Sequence, residues 1–328
     1  MIKRREFITL LGGAAAWPLA APTAAVGQQQ TAKNPRIGFL YGGVSEALAL
    51  RVNQFLEGVR GIERRRIELV SRVAEGDPAR LPALASEIVA QNVDVLFAIG
   101  PAAVRAAHTV AQGHRIVALD LETDPVQSGL VLSLSHPGGN LTGVFFDFPE
   151  FGTKWLELLR EVLPQLSRVA VLWDSSTGQV QLNAVEKVGG SMGLRLQVIE
   201  VKQVGEIEQA VRTARKDSAE ALLLLSSPMF GSNPAMSAKV ALENRFPAIT
   251  MFPEFAQTGG LMAYGPNISE LYRQAGAMVA KVLAGAVPAD LPVERPVRFQ
   301  LVINLKTAKA LGLDVPWFLQ QRADEVIE

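Results

Sequence analysis

Five carboxylates, Asp120, Glu122, Asp124, Asp174 and Glu254, each fall just beyond a short apolar run of the chain. Acids gathered at one cleft suit a ligand carrying an ammonium or several hydroxyls, since an ionised carboxylate only accepts hydrogen bonds and adds negative charge. The ends of those runs also carry rings, Tyr41, Trp173, Phe252 and Phe255, which can sandwich a flat or apolar body. Between them lie small and hydroxylated residues, and a helix opening at Pro101 would turn free backbone N–H groups toward an anion. The candidate ligand-binding set is Tyr41, Gly42, Pro101, Ala102, Glu122, Thr123, Asp174, Ser226, Ser227, Phe252 and Glu254.

Covalent chemistry finds little purchase. No Gly-rich dinucleotide fingerprint follows a strand, and no phosphate loop ends in Gly-Lys-Ser/Thr. The three histidines, His108, His114 and His136, lack metal-ligand spacing, and the chain has no Cys, so neither a metal nor another cofactor is expected. One stretch, "GGSMG" at 189–193, matches the G-x-S-x-G pattern. A nucleophile elbow needs a strand before its Ser and a helix after it; here a helix precedes Ser191 and a strand follows, which places Ser191 in a helix-ending turn.

The elements that position the candidate residues alternate. Strands are predicted at 36–41, 67–73, 93–100 and 115–120, with helices at 47–59, 81–91 and 101–111 between them. After the Gly- and Pro-rich "SHPGGNLTG" (135–143) the order repeats: strands at 168–174, 194–201, 220–227 and 247–252, helices at 180–188, 207–214 and 235–244. Strands apolar almost throughout belong to parallel sheets covered on both faces. The fold class is therefore α/β, two doubly wound parallel-sheet lobes, in which ligands sit at the carboxyl ends of the strands. A later strand (259–267), a helix (269–283), a Pro-rich extended stretch (289–299) and a strand running into a helix (301–313) return across the lobes. Three chain crossings make a hinge. The expected division is 36–146 with about 262–288 for the first lobe and 147–261 with about 289–328 for the second.

The segment before Arg36 reads differently. Residues 3–22, "KRREFITLLGGAAAWPLAAP", have a basic start and an apolar middle too short and too broken by Gly12, Gly13 and Pro18 to span a bilayer. With the small residues Ala25-Val26-Gly27 following, it has the three parts of an export signal, residues 1–27, cleaved near Gly27 and followed by a linker at 28–35. Lys3-Arg4-Arg5-Glu6-Phe7-Ile8 resembles the twin-arginine type. The absence of Cys excludes a lipid anchor, and the expected location is the periplasm. Three of the 32 basic and one of the 32 acidic residues lie in 1–27, leaving 29 and 31, a balance without a nucleic-acid footprint.

Long phrases carry a family resemblance: "RREFITLLGGAAAWPLA", "SHPGGNLTGV", "PAITMFPEFAQTGGLMAYGPN", "PADLPVERP" and "LVINLKTAKALGL". Together they resemble the ABC transporter substrate-binding family with the periplasmic binding protein type I fold. The resemblance implies a two-lobed monomeric receptor that closes on a small molecule, amino-acid-like or aromatic and amine-bearing, without covalent chemistry of its own. Its implied partners are an ABC permease and its ATPase; a sensory receptor signalling to a membrane protein needs the same hinged cleft. Many relatives carry Gly followed by Ser or Thr where the third strand ends. Here Gly100-Pro101 stands there, which leaves a ligand carboxylate one donor fewer.

Overall fold

The computed structural model describes residues 33–146 and 148–328, so the leader read over 1–27 lies outside the described residues. The first sheet grows from β1 (Arg36–Tyr41), α1 (Ser45–Arg60), β2 (Glu68–Val73), α2 (Leu81–Ala90), β3 (Val95–Ile99), α3 (Pro101–Val110), β4 (Ile116–Asp120) and β5 (Leu141–Phe145). Its order is β2-β1-β3-β4-β5, every pair parallel. Alternation along β1 shows why the strands are apolar throughout. Ile37, Phe39 and Tyr41 join one core face, whereas Leu40 joins the other with Leu96, Ala98 and Ala118. On the first face Phe39, Phe55 and Phe97 pack ring to ring, with centroids 4.6–5.1 Å apart.

The second lobe comprises α4 (Phe148–Val162), β6 (Arg168–Trp173), α5 (Val180–Ser191), β7 (Arg195–Glu200), α6 (Ile207–Lys216), β8 (Ala221–Leu224), α7 (Pro228–Ser232), α8 (Pro234–Glu243), β9 (Ala248–Thr250), α9 (Pro253–Gln257) and β10 (Met262–Pro266). The chain then crosses as α10 (Ile268–Leu283) and returns as β11 (Phe299–Asn304), α11 (Leu305–Leu311), α12 (Trp317–Arg322) and β12 (Glu325–Ile327). The sheet order is β12-β11-β10-β9-β8-β6-β7. Five of its pairs are parallel and β10–β11 is antiparallel, so this sheet is mixed rather than purely parallel.

The boundaries read from the sequence shift at two crossings. The segment 262–266, assigned by sequence to the first lobe, is a central strand of the second sheet, because β9 and β11 take its backbone groups on both sides. The crossing falls at Asn267, whose side chain caps α10 by accepting from the Glu270 amide. Conversely, the start of the stretch assigned to the second lobe borders the first: Glu294 N–H donates to Gly143 O at 2.9 Å and Phe145 N–H to Glu294 O at 3.0 Å. Pro292 and Pro296 flank this ladder and, having no N–H, keep it to a bridge.

Helix α4 was not among the expected elements. Trp155, Leu156, Leu158, Leu159 and Val162 are all buried there, and the Trp155 indole N–H donates to Tyr264 O at 2.7 Å. The helix α5 does run through Ser191, whose hydroxyl donates to Val188 O at 2.7 Å; that residue closes a helix and is no nucleophile elbow. Among the described residues no helix is long and apolar enough to cross a membrane, and no cluster of His, Cys, Asp or Glu could hold a metal ion.

Candidate ligand-binding site

The carboxyl ends of the two sheets face each other, and several contacts join them. Tyr41 Oη lies 3.1 Å from Ser232 Oγ, Ser226 Oγ donates to Glu122 Oε1 at 2.5 Å, Arg51 Nη2 lies 3.4 Å from Glu254 Oε1, and Arg105 Nη2 donates to Ser176 O at 2.9 Å. In each, one residue belongs to the first lobe and the other to the second. The lobes are closed.

Local structure aims each group. Asp120 ends β4 wholly buried, and its Oδ1 accepts the amides of Glu122 and Thr123 at 2.9 and 3.0 Å. This carboxylate-held turn sends the Glu122 side chain across the cleft. Opposite it, the side-chain amide of Gln181 grips the peptide of Ser226 on both sides, accepting its N–H at 2.8 Å and donating to its C=O at 2.6 Å. Gln181 is completely buried, so these bonds fix where the Ser226 hydroxyl points. Replacing it with Leu should strand both backbone groups at a cost of about 1–3 kcal/mol each. Thermal denaturation checks this, and an unchanged midpoint would mean that Ser226 holds its place without Gln181.

Burial raises the acids. It pushes the Glu122 carboxyl up to about 8, helped by the charge of Asp120 beside it and more weakly by Asp174, while the hydrogen bonds from Ser226 and the Leu121 amide pull back. Asp120 is raised as well, by burial first, against the hydrogen bonds from Thr123 and the Glu122 amide. Tyr272, on α10, is also buried, which moves its phenol up to about 12.

Two chambers between the lobes are lined by the candidate residues. The inner one, with a free volume of about 40 Å³, is walled by Tyr41, Arg51, Gly100, Leu119, Glu122, Phe252 and Tyr272 among others. The outer one, about 360 Å³, is lined by Gly42, Ala102, Asp174, Ser176, Lys202, Ser232 and Asn233 with neighbouring loop residues. Tyr41, Arg51 and Glu122 in its wall each make a cross-lobe contact, so a ligand as large as an amino acid enters the inner chamber by displacing those contacts.

The structure sorts the residues read from the sequence. Tyr41, Glu122 and Phe252 wall the inner chamber; Gly42, Ala102 and Asp174 line the outer one, Asp174 also accepting the Ser176 amide at 3.0 Å. Ser226 meets Glu122, and Glu254 meets Arg51. Ser227 instead spends its hydroxyl capping α7, where it accepts the Phe230 amide at 3.1 Å. Pro101 opens α3 in a buried position and Thr123 is buried beside Asp120; neither lines a chamber. Of the four candidate rings, Trp173 donates to Gly178 O at 2.9 Å and Phe255 packs in the core. Asp124 caps its own turn by accepting the Val126 and Gln127 amides.

Arg51 and Tyr272, which wall the inner chamber with their polar groups, were not among the candidates. For Arg51 a signal exists: it stands four residues after Ala47 and four before Phe55, both buried, so a cation occupies the apolar stripe of α1. Tyr272 carries no such mark, being one apolar-stripe residue among many on α10.

A closed pair of α/β lobes with a partly apolar cleft, ringed by a few directed polar groups, is an architecture for holding a small molecule between the lobes. The chain belongs to the family of ABC transporter substrate binding proteins, whose model matches residues 41–327. It is 26% identical over 242 residues to a tyrosine-binding protein of Clostridioides difficile, covering 73% of this chain and 69% of that one. The fold superposes on the ABC domain in complex with L-Trp from Streptococcus pneumonia with a TM-score of 0.82, at 24% identity and covering 90% and 100% of the two chains. Against the ligand-free, open structure of a substrate binding protein with adhesive properties from Clostridium difficile, the TM-score is 0.64, at 24% identity and 89% and 99% coverage. The family and these structural neighbours are solute-binding proteins, not enzymes.

Proposed function

We propose that this protein is the receptor of an ABC importer, exported to the periplasm by its twin-arginine-type leader. There it acts as a monomer that closes over an amino-acid-like ligand bearing an amine and an aromatic or apolar body. The ligand then passes to the permease and its ATPase. The observation that carries this reading is the pair of closing contacts, Ser226 to Glu122 and Tyr41 to Ser232, set around a chamber walled by Phe252, Tyr272 and apolar side chains. Closure on a ligand gains whatever contact the second lobe adds. The tyrosine-binding relative and the tryptophan complex support the ligand class.

The test is a thermal-shift screen of the chain from Gln28 onward, unfolded and refolded to strip carried ligand, against aromatic amino acids, aromatic acids, polyamines and sugars. A ligand present at one hundred times its dissociation constant adds about 2.7 kcal/mol, so a clear upward shift with an aromatic amino acid is expected. Shifts confined to sugars or to amine-free acids would overturn the ligand class.

A further inference from the structure

We infer that Arg51 is the anchor for an acid group on the ligand, and that Glu254 is an internal stand-in for that group which the ligand displaces. The inference rests on the ligand class proposed above and adds the chemistry of its recognition. Arg51 projects from the buried stripe of α1, its side chain only 12% exposed, and walls the same inner chamber as Glu122. Its guanidinium carbon lies 5.8 Å from the centre of the Tyr272 ring, and Tyr41 and Glu254 complete its surroundings. Burial alone would lower its pKa, but the nearby Tyr272, Tyr41 and Glu254 groups more than compensate, and the cation persists.

A guanidinium offers five N–H donors in a planar fork that fits both oxygens of a carboxylate. Glu254 uses the fork poorly. One oxygen stands 3.4 Å from Arg51, and the other, Oε2, is buried with no hydrogen-bond partner. Charge-assisted pairs ordinarily close to about 2.7–2.9 Å. The pair also crosses the cleft, since Glu254 sits in the first turn of α9 in the second lobe. Breaking the pair leaves Arg51, only 12% exposed, without a counter-charge unless another anion replaces Glu254, whereas the Glu254 side chain is 32% exposed and has water to turn to. A ligand with a carboxylate makes that replacement, exchanging one pair for a better one while its apolar body fills the chamber. A ligand without one must leave Arg51 to Glu254 and enter a chamber that this pair still closes. The start of α3 is a poorer acid site, because Pro101 has no N–H and Ala102 lines the outer chamber.

Titration calorimetry with L-tyrosine and L-tryptophan against tyramine and tryptamine isolates the acid group, since each amine differs from its amino acid by the carboxylate alone. Wild type should prefer the amino acids by about 10- to 100-fold, the range of a lost charged hydrogen bond. In Arg51→Gln that preference should fall to within about threefold, and Arg51→Lys, which keeps the charge without the fork, should lie between. Glu254→Gln, freed of its competing charge, should bind the amino acids more tightly. A preference undiminished in folded Arg51→Gln, or a tenfold loss in Glu254→Gln, overturns the inference while leaving the receptor reading intact. Equal binding of acid and amine by wild type does the same. Failure of all four compounds to bind overturns both the inference and the ligand class.

Discussion

Glu122→Gln should abolish most of the pH dependence of stability between pH 4.5 and about 8, the ordinary and the closed-state values of this carboxyl. The direction follows from proton counting. In the unfolded chain Glu122 loses its proton near 4.5, whereas in the closed protein burial and the charge of Asp120 hold it up to about 8. Between those values the folded state binds more protons than the unfolded one, so stability falls as pH rises. The contribution is complete below 4.5 and is lost as pH climbs through 8. Each unit of this window is worth up to about 1.4 kcal/mol for one proton, and a chain of this size moves its melting midpoint by about 2–4 °C per kcal/mol. Gln keeps an oxygen for the Ser226 hydroxyl but carries no charge, so the variant should melt higher than wild type at pH 8 and close to it at pH 5. Asp120, itself raised by burial beside Glu122, remains in the variant and sets its residual slope. Parallel melting curves for the two proteins across this range would show that Glu122 stays ionised when the lobes close.

The same carboxyl shows what the sequence could and could not say. Glu122 was legible as a candidate because the apolar run before it reads as a parallel strand, and such strands deliver their following residues to one cleft. Its partner Ser226 was legible on the same ground. Gln181 was not, because a glutamine in the first turns of an amphipathic helix ordinarily faces water, and only the packed structure turns it onto a peptide of β8's end. Arg51 was overlooked because helix α1 was read for its apolar residues, although a charge on that stripe is itself informative. The strand at 262–266 went to the wrong lobe for a further reason. Periodicity identifies a strand but not its neighbours, and the pairing that captures β10 joins it to β11, more than thirty residues on. Helix α4 is harder to read because Pro149 and Gly152 sit in its first turns, although Phe151, Trp155, Leu159 and Val162 recur at helical spacing and are buried.

The placement of Arg51 against Tyr272 depends in turn on how closely α1 and α10 approach, and Gly276→Val should therefore damage both stability and ligand binding. A Cβ at Gly276 would overlap the carbonyl oxygen of Phe55, and one at Gly58 the carbonyl oxygen of Arg273. The obstructing atoms are backbone, which no rotamer change can move aside, so the helices must separate. Overpacking of this kind costs about 1–3 kcal/mol or more, and Val adds two further methyl groups at the tightest point. Separation lifts Tyr272, four residues before Gly276 on the same face, away from Arg51 on α1. Gly190→Ala supplies the contrast. Gly190 is an exposed residue of α5 with open space around its Cβ position, so Ala there only removes backbone freedom and should stabilise by about 0.5–1 kcal/mol. Denaturant unfolding of both variants reads the two signs directly. If Gly276→Val unfolds at the wild-type midpoint, the close helix contact does not position Tyr272, and the geometry around Arg51 must be maintained by the α10 cap at Asn267 and the chain crossing it anchors.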